Sequence, residues 1–339
     1  MMHAHFAAPP RPAGPSARRL RARGAALLTA MLTVTLVATF AATALWQQWR
    51  SVEIETAERA RAQAGWILLG ALDWSRVVLR EDARSGGPDH LAEPWAVPLQ
   101  EARLSSFLAA EANVSQVDDA STETANAFLS GEIIDLQSRM NLRNLLQRGE
   151  QADKAFERLF ERLGLPQATL QQIVIGLRDA EAAGSNAQSA APLMPRTLVQ
   201  LGWLGVAPAV SARLEPHVTL LPEPTPVNLN TASAEVIWAS IEGLDWARAN
   251  QFVQAREASP ARNVAQALAR LGITSDIPRT HLAVSSSFFE IRGRLRLGET
   301  LVSERSLVQR KGWNIATLWR ERGGWTSANL PLPGQSPAP

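Results

Sequence analysis

The sequence predicts an α+β protein that carries one membrane-spanning helix near its N-terminus. Three observations lead to this prediction. Residues 25–49 carry no charge, the middle of the chain repeats apolar residues at helical spacing, and residues 289–308 largely alternate apolar and polar side chains. The first pattern is typical of a transmembrane helix, the second of packed amphipathic helices and the third of a β-hairpin. We therefore expect a long N-terminal helix, a set of packed helices and a β-hairpin.

The uncharged run is long enough to span a bilayer. The 21 residues from Ala25 to Leu45, at a helical rise of about 1.5 Å per residue, match the hydrocarbon core of about 30 Å. Five arginines precede the run, and no acidic residue appears before Glu53. Since basic residues beside a membrane helix stay cytoplasmic, the bulk of the chain is expected on the other side of the membrane.

Three uses of this segment compete: a cleaved secretory signal, an uncut anchor and a prepilin-type leader. A secretory signal has an apolar region of about 7 to 15 residues, and this run is longer, although Ala42-Thr43-Ala44 could mimic its cleavage site. An uncut anchor gives no reason for Gly24 at the border of the run. A prepilin peptidase that cuts between Gly24 and Ala25 would remove the basic leader and retain the helix.

Charge and composition exclude several classes of protein. The chain has no cysteine, so disulfide frameworks and thiolate metal sites are excluded. Of 34 basic residues, five lie in the leader, and cleavage leaves 29 against 32 acidic ones. A mature product with a slight negative charge lacks the basic surface that binds nucleic acid.

The helical pattern continues through residues 47–80, 151–178 and 196–271, and a proline-rich hinge at 222–226 interrupts the last of these. Beyond the hinge, Thr231 is predicted as a helix N-cap with Glu235 in the first turn, and Asp245 as the cap of the next helix. Two helices joined by a glycine-containing turn form a helix-hairpin-helix unit. Such units elsewhere bind DNA phosphates through backbone N–H groups, but the Asp245 carboxylate would repel a phosphate.

The C-terminal region is predicted to hold a β-hairpin that turns at Gly298-Glu299. Its arginines at 292, 294 and 296 share one face, which we expect to be solvated. Residues 313–339 are expected to form a disordered tail. The histidines are isolated in the sequence, so neither a histidine metal site nor a Ser-His-Asp relay is predicted, and we expect no enzyme.

In this order, the elements of the sequence resemble the minor pseudopilin K family of type II secretion systems (general secretion pathway protein K). The resemblance covers about residues 23–311. It is carried by the Arg23-Gly24 junction with Ala26-Leu27-Leu28, the 131–145 segment, Asn228-Leu229-Asn230-Thr231-Ala232, and the Ser287-Phe288-Phe289 and 305–310 strands.

The resemblance implies a pseudopilin fold with a long N-terminal helix, a small antiparallel sheet and a large inserted all-α domain of the SAM-like, helix-hairpin-helix kind. The corresponding domain limits are a leader at 1–24, an N-terminal helix at 25–80 that spans the membrane at 25–45, a first part of the α/β domain at 81–140, the inserted domain at 141–283, the hairpin at 284–312 and the tail at 313–339.

The resemblance also implies a function in protein secretion. Members of the family are N-methylated inner-membrane proteins with a periplasmic domain, and they form the tip of the pseudopilus with minor pseudopilins I and J. Most pilin-like subunits carry a glutamate at the fifth mature residue, which pairs with the N-terminal amine of the preceding subunit. Counted from Ala25, that position is Thr29, which suits a first subunit because an unpaired carboxylate in lipid costs about 3 kcal/mol.

The sequence departs from the family pattern at three places. Ser138 stands where a glycine is usual and Arg143 where an asparagine is usual, and residues 182–195 contain no carboxylate. Calcium, which family members can bind, needs several oxygen ligands, so the sequence identifies no metal ligand. The alternative function is that of a membrane-anchored periplasmic DNA-binding protein with the helix-hairpin-helix unit.

Overall fold

The computed structural model describes residues 18–106, 127–147, 149–184, 191–273 and 281–323, with side chains from Ala25 onward. The chain divides into two compact units, residues 1–60 and 61–339. Helix α1 (Arg18–Ser85) contributes the described part of the first unit and the beginning of the second.

In the first unit, α1 is apolar and exposed. Leu28 is 70% and Phe40 69% exposed, although an apolar side chain ordinarily avoids water. Within the described residues, this is the one helix long and apolar enough to cross a membrane. A bilayer around the helix would cover these side chains.

In the second unit, the part of α1 from Arg61 onward buries one face against a sheet. The buried residues recur at helical spacing, because side chains four and seven positions apart lie on the same face. They are Ala64, Leu68, Leu72 and Leu79. Their partners in the same apolar cluster include Phe289, Ile291, Leu295, Val308 and Ile315 from the sheet.

The sheet has five antiparallel strands in the order β1-β2-β7-β8-β9. Its strands are β1 (Leu99–Arg103), β2 (Ala127–Asp135), β7 (Phe288–Leu297), β8 (Thr300–Lys311) and β9 (Asn314–Arg322). Gly131 lies opposite Gly293 in the register. A Cβ at Gly293 would lie 2.7 Å from Leu68 Cδ1, so glycine here allows α1 to approach the sheet closely.

The expected hairpin is in fact a three-stranded meander, and the expected disordered tail is wrong for residues 314–322. They form β9, which pairs with β8 from Lys311 opposite Asn314 to Glu304 opposite Arg322. Ile315 is fully buried, and Arg76 of α1 donates to its carbonyl at 2.7 Å. The strand is hard to predict from the sequence, because its charged residues pair with oppositely charged residues that are distant along the chain. Residues 324–339 lie outside the described residues.

The helical domain lies between β2 and β7 in the sequence. It contains α2 (Glu150–Arg162), α3 (Gln167–Ala183), α4 (Pro208–Leu214), α5 (Ala234–Ser240), α6 (Trp246–Ala258) and α7 (Val264–Arg270), with 3₁₀ helices at Leu142–Leu146 and Leu198–Leu204. Two short parallel pairs join its segments: β3 (Met140–Asn141) with β4 (Val218–Thr219), and β5 (Val227–Asn228) with β6 (Leu282–Ala283). Phe156, Leu159 and Phe160 share one face of α2 and are at most 1% exposed.

The helix caps follow the sequence prediction at one position and depart from it at another. Asp245 caps α6, where its carboxylate accepts from the N–H of Ala247 at 3.3 Å. Thr231, however, does not cap α5. Ser233 does, by accepting from the N–H of Val236. The Thr231 hydroxyl is instead used in a buried contact with Asp135.

The expectation of a solvated arginine face is wrong at Arg292. Its side chain is 11% exposed and forms ion pairs with Glu290 and with Glu132, the latter at 3.4 Å. At the far end of β7, Arg296 pairs with Glu101 at 2.8 Å. Alternation along β7 shows that Glu290 and the arginines share a face, but the partners Glu132 and Glu101 come from β2 and β1.

Candidate functional site: a buried polar junction and the apolar helix

Asp135 is the centre of a buried polar junction between the sheet and the helical domain. It is the last residue of β2, and its Oδ1 accepts from the N–H of Gln137 at 2.7 Å, which starts the following 3₁₀ turn. Its Oδ2 accepts from three side chains. These are Thr231 Oγ1 at 2.6 Å, Ser286 Oγ at 2.7 Å and Asn228 Nδ2 at 3.1 Å. One carboxylate thus joins three segments of the chain.

Burial determines the electrostatics of this junction. Asp135 is 2% exposed. Desolvation raises the pKa of Asp135 to about 6, while the hydrogen bonds from Thr231 and Ser286 act in the opposite direction. A carboxylate in this position is costly to bury, and the converging donors make its presence tolerable.

The asparagines of the sequence motif hold the backbone of the helical domain. Asn228 accepts from the N–H of Asn230 at 3.0 Å and donates to the carbonyl of Asp89 at 3.3 Å. Asn230 bonds both backbone groups of Ala261 at 2.9 Å. Both asparagines are at most 1% exposed. Their amides satisfy buried backbone groups that no helix or strand pairs.

A second pair of asparagines holds the proline-rich hinge at 222–226. Asn144 bonds both the N–H and the carbonyl of Thr225, at 3.0 and 2.9 Å. Asn141 donates to the carbonyl of Glu223 at 2.8 Å and accepts from the N–H of Leu221 at 3.1 Å. The prolines cannot donate, so side-chain amides fix the segment in place of a ladder.

The two substitutions relative to the family pattern fit this junction. Ser138 donates to the carbonyl of Asp135 at 2.6 Å and lies in the 3₁₀ turn Leu136–Ser138, whose φ angles are negative, so a glycine is not required there. Arg143 donates from Nε to the carbonyl of Pro222 at 3.2 Å. Each replacement residue therefore adds a local hydrogen bond.

Arg310 of β8 connects the junction to the end of α1. Its Nη1 lies 2.7 Å from Asp82 Oδ2, and its Nη2 bonds Asp89 and the carbonyl of Ser286. Asp89 in turn accepts from the N–H of Ser286 at 2.6 Å. Burial raises the pKa of both Asp82 and Asp89, and Arg310 opposes the shift. The guanidinium therefore stabilises two buried carboxylates at once.

The acidic cluster at the end of α1 does not suit calcium. One group of acidic residues, Asp82, Asp89 and Glu93, has ligand atoms within 4.8 Å of one another. Arg310 already pairs with two of them, and Glu93 Oε2 accepts from Trp95 Nε1 at 2.8 Å. A divalent cation would have to displace a guanidinium that neutralises the cluster, so we assign no metal to it.

In the first unit, the predicted cleavage and assembly residues lie on α1. Gly24 and Ala25 are within the helix, and the cleavage itself stays a prediction. Thr29 donates its hydroxyl to the carbonyl of Ala25 at 2.8 Å, with Ala26 at 3.0 Å. The hydroxyl is thus satisfied within its own helix, as a polar group in lipid must be.

The helix-hairpin-helix turn does not suit a phosphate, and the contact between Ser233 and His217 lacks part of a catalytic relay. The N-terminus of α6, where a helix-hairpin-helix unit would hold a phosphate, is occupied by the carboxylate of Asp245. Ser233 Oγ lies 3.5 Å from His217 Nδ1, and burial lowers the pKa of His217. No carboxylate among the described residues hydrogen-bonds this histidine, so the orienting group of a catalytic relay is missing there.

Sequence reasoning found some parts of the junction and missed others. It singled out Asn228 and Thr231 as parts of a motif, and the structure brings both to Asp135. It did not single out Asp89, Ser286 or Arg310. A weak signal exists in Asp82 and Asp89, two acidic residues on either side of Gly86-Gly87, but their arginine partner lies 221 or more positions away.

Two family models match the helical domain and its approach. Both describe type II secretion system protein K, one over residues 138–223 and the other over residues 227–285. They contain the asparagines of the motif and flank the hinge.

Whole-chain relatives carry the same name. Type II secretion system protein K of Pseudomonas aeruginosa is 28% identical over 91% of this chain and 95% of its own length. The protein from Klebsiella pneumoniae is 28% identical over 89% of this chain and 97% of its own, and that from Pectobacterium carotovorum is 25% identical over 92% and 99%.

A solved structure confirms the fold. A chain of the GspK-GspI-GspJ complex of enterotoxigenic Escherichia coli matches with a TM-score of 0.61 and 21% identity, over 80% of this chain and 99% of that one. The α+β pseudopilin fold with an inserted helical domain is therefore confirmed, and nothing in the comparisons supports the DNA-binding alternative. This chain is therefore similar along most of its length to type II secretion system protein K, and both family models that match it describe the same protein.

Proposed function

We propose that this protein forms the tip of a periplasmic pseudopilus and starts its assembly with minor pseudopilins I and J. Its role is structural rather than catalytic. The matched structure holds GspK together with GspI and GspJ, and the corresponding partners suit this chain.

Thr29 is the observation that carries the tip role. A subunit added to a growing pseudopilus uses a carboxylate at this position to pair with the amine of the subunit before it. Thr29 has no carboxylate, and its hydroxyl bonds carbonyls of its own helix. The side chain thus offers no negative charge to the amine of a preceding subunit, whereas the new N-terminus of Ala25 stays able to pair with a following one.

The helical domain supports the same role. Most of the sequence between β2 and β7 is an added domain rather than a loop. A bulky addition to a minimal pilin head would clash with a subunit stacked on it, and only the end of a pseudopilus leaves room for it. The buried junction around Asp135 keeps this domain in a fixed position on the sheet.

The N-terminal segment supports an inner-membrane location. We propose that prepilin peptidase cuts after Gly24, that Ala25 becomes the N-methylated N-terminus, and that residues 25–45 stay in the bilayer. The basic leader on the cytoplasmic side then leaves the second unit in the periplasm. The membrane helix is free to pack against helices of the partner subunits through its small and apolar residues.

The test is coexpression of the full-length chain with prepilin peptidase and tagged pseudopilins I and J, followed by detergent extraction. We expect an intact mass that begins at Ala25 and recovery of both partners. A mass that begins at Met1 or after Ala44 contradicts the leader. Correct processing without recovery of either partner contradicts the tip role, and filter binding to duplex DNA at low salt would favour the alternative.

A further inference from the structure

A cavity of about 260 Å³ lies between the helical domain and the face of the sheet that points away from α1. We call it the Arg139 cavity. Its apolar lining comes from both sides and includes Leu136, Val206, Leu307 and Trp319, with Val199 at the rim. Val199 is 81% exposed, so the cavity opens to solvent beside an apolar side chain.

Arg139 is the unusual group in this cavity. Arg305 pairs with Glu321 at 2.6 Å, and Arg292 pairs with Glu290 and Glu132. Arg139 is partly buried, yet within the described residues its guanidinium forms no hydrogen bond or ion pair. Glu290 acts on it only as a more distant charge, and burial lowers the pKa of Arg139. Its five N–H donors therefore lack acceptors among the described residues.

These donors remain accessible from the cavity, because none of them is among the sealed polar atoms without a partner. A guanidinium that has lost part of its hydration without gaining acceptors binds an incoming acceptor favourably. A single carboxylate matches its fork with two parallel hydrogen bonds. Glu215 and Glu290 also line the cavity, and their charge disfavours a ligand with several negative groups.

Size and surroundings favour a polypeptide over a small ligand. Sites for whole small molecules are usually about 300–1,000 Å³, and this cavity holds roughly one or two side chains. Arginine and tryptophan beside an apolar rim are typical of the energetic centre of a protein interface.

We propose that the Arg139 cavity is a docking pocket for a partner polypeptide that inserts an aspartate or glutamate next to an apolar side chain. Arg139 binds the carboxylate, and Trp319 with the neighbouring aliphatic residues packs on the apolar side chain. The inference goes beyond the tip role and holds whether or not the protein caps a pseudopilus.

The test measures fluorescence anisotropy of two labelled pentapeptides with the full chain in detergent. One peptide has glutamate between two leucines, and the other has glutamine in its place. We expect the glutamate peptide to bind about tenfold more tightly, because a hydrogen bond to a charged group is lost in the other. Equal binding of the two peptides, or no binding of either up to millimolar concentration, would overturn the proposal.

Variants locate the site. Arg139→Met keeps the length of the side chain and is expected to abolish the preference for glutamate, whereas Arg262→Met, at an exposed arginine outside the cavity, is expected to leave it unchanged. Gly202→Phe is a second variant, since Gly202 lines the cavity and a Cβ there meets nothing within 4 Å. It should block both peptides without removing a charge.

The proposal is refuted if the Arg139→Met variant retains the preference for glutamate. If Arg139→Met fails to fold, undiminished peptide binding to the Gly202→Phe variant refutes it instead. Hexanoate serves as a further competitor. If hexanoate displaces nothing, or displaces the glutamate peptide only weakly, the polypeptide is supported. If hexanoate binds the Arg139 cavity while both peptides are excluded, the occupant is a small acid and the proposal is wrong.

Discussion

Asp135→Asn tests whether the buried junction holds the helical domain to the sheet. Four donors converge on the carboxylate, namely the N–H of Gln137 and the side chains of Thr231, Ser286 and Asn228. An amide offers one acceptor oxygen, and its NH₂ group faces donors that are themselves buried. Each donor left without an acceptor costs about 1–3 kcal/mol. Some hydroxyls can rotate to accept, and the desolvation cost of the charge disappears, so we expect a net loss of about 2–4 kcal/mol at pH 7.

The pH dependence provides a sharper test. Burial raises the pKa of Asp135 from 3.8 to about 6, so between these values the folded protein holds a proton that the unfolded chain has released. Wild-type stability therefore falls as pH rises through this window, by about 3 kcal/mol in all. The asparagine variant lacks this change. The difference in stability between wild type and variant should narrow from pH 4 to pH 6.5.

Chemical unfolding followed by tryptophan fluorescence measures both effects. Asp153→Asn is the matched control, because Asp153 is partly exposed and lies 3.7 Å from the exposed Arg178, a pair worth about 0–1 kcal/mol. Equal unfolding midpoints for Asp135→Asn and wild type would refute the idea that the buried junction holds the helical domain to the sheet. A difference that widens as pH rises would refute the raised pKa.

Three further changes have expected outcomes. Gly131→Ala places a Cβ 2.8 Å from the Arg292 carbonyl oxygen, whereas a Cβ at Gly70 meets nothing within 4 Å. In unfolding experiments we expect Gly131→Ala to destabilise the protein by about 1–3 kcal/mol and Gly70→Ala to stabilise it by about 0.5–1 kcal/mol. Equal effects of the two substitutions would contradict the close approach of the strands at Gly131. Arg310→Met leaves Asp82 and Asp89 without their cation and should lower the free energy of unfolding by about 3–5 kcal/mol. Its control, Arg59→Met, removes an exposed ion pair and should change the unfolding midpoint little. Similar midpoints for the two variants would show that Arg310 is dispensable. Thr29→Glu should not raise the amount of pseudopilus recovered by shearing, because a first subunit has no preceding amine to pair with, and a clear gain would count against the tip role.

The residues of the buried junction are hard to recognise from the sequence alone. Asp135, Asn228 and Ser286 are far apart in the sequence, and each is an ordinary polar residue in its local context. Their hydrogen bonds span 58 to 151 positions. A motif of this kind becomes meaningful only when the fold brings its pieces together.

Features that depend on a local residue pattern can be predicted from the sequence alone. The absence of charge from Ala25 to Trp49 defines the membrane helix, the alternation near Ile291 defines strands, and the spacing of Phe156, Leu159 and Phe160 defines a core-facing helix. Each of these follows from the period of a helix or strand, which nearby residues alone establish.

Which polar groups are buried, and with which partners, depends on the tertiary structure. Charged residues at 320–322 read as a solvated tail, yet Arg320 pairs with Asp73 and Arg322 with Glu304, and this edge of the sheet is ordered as β9. Thr231 was predicted as a helix cap, but in the structure Ser233 is the cap and the Thr231 hydroxyl donates to Asp135. A side chain's charge fixes the cost of burying it, whereas the partner that offsets that cost is brought by the rest of the fold.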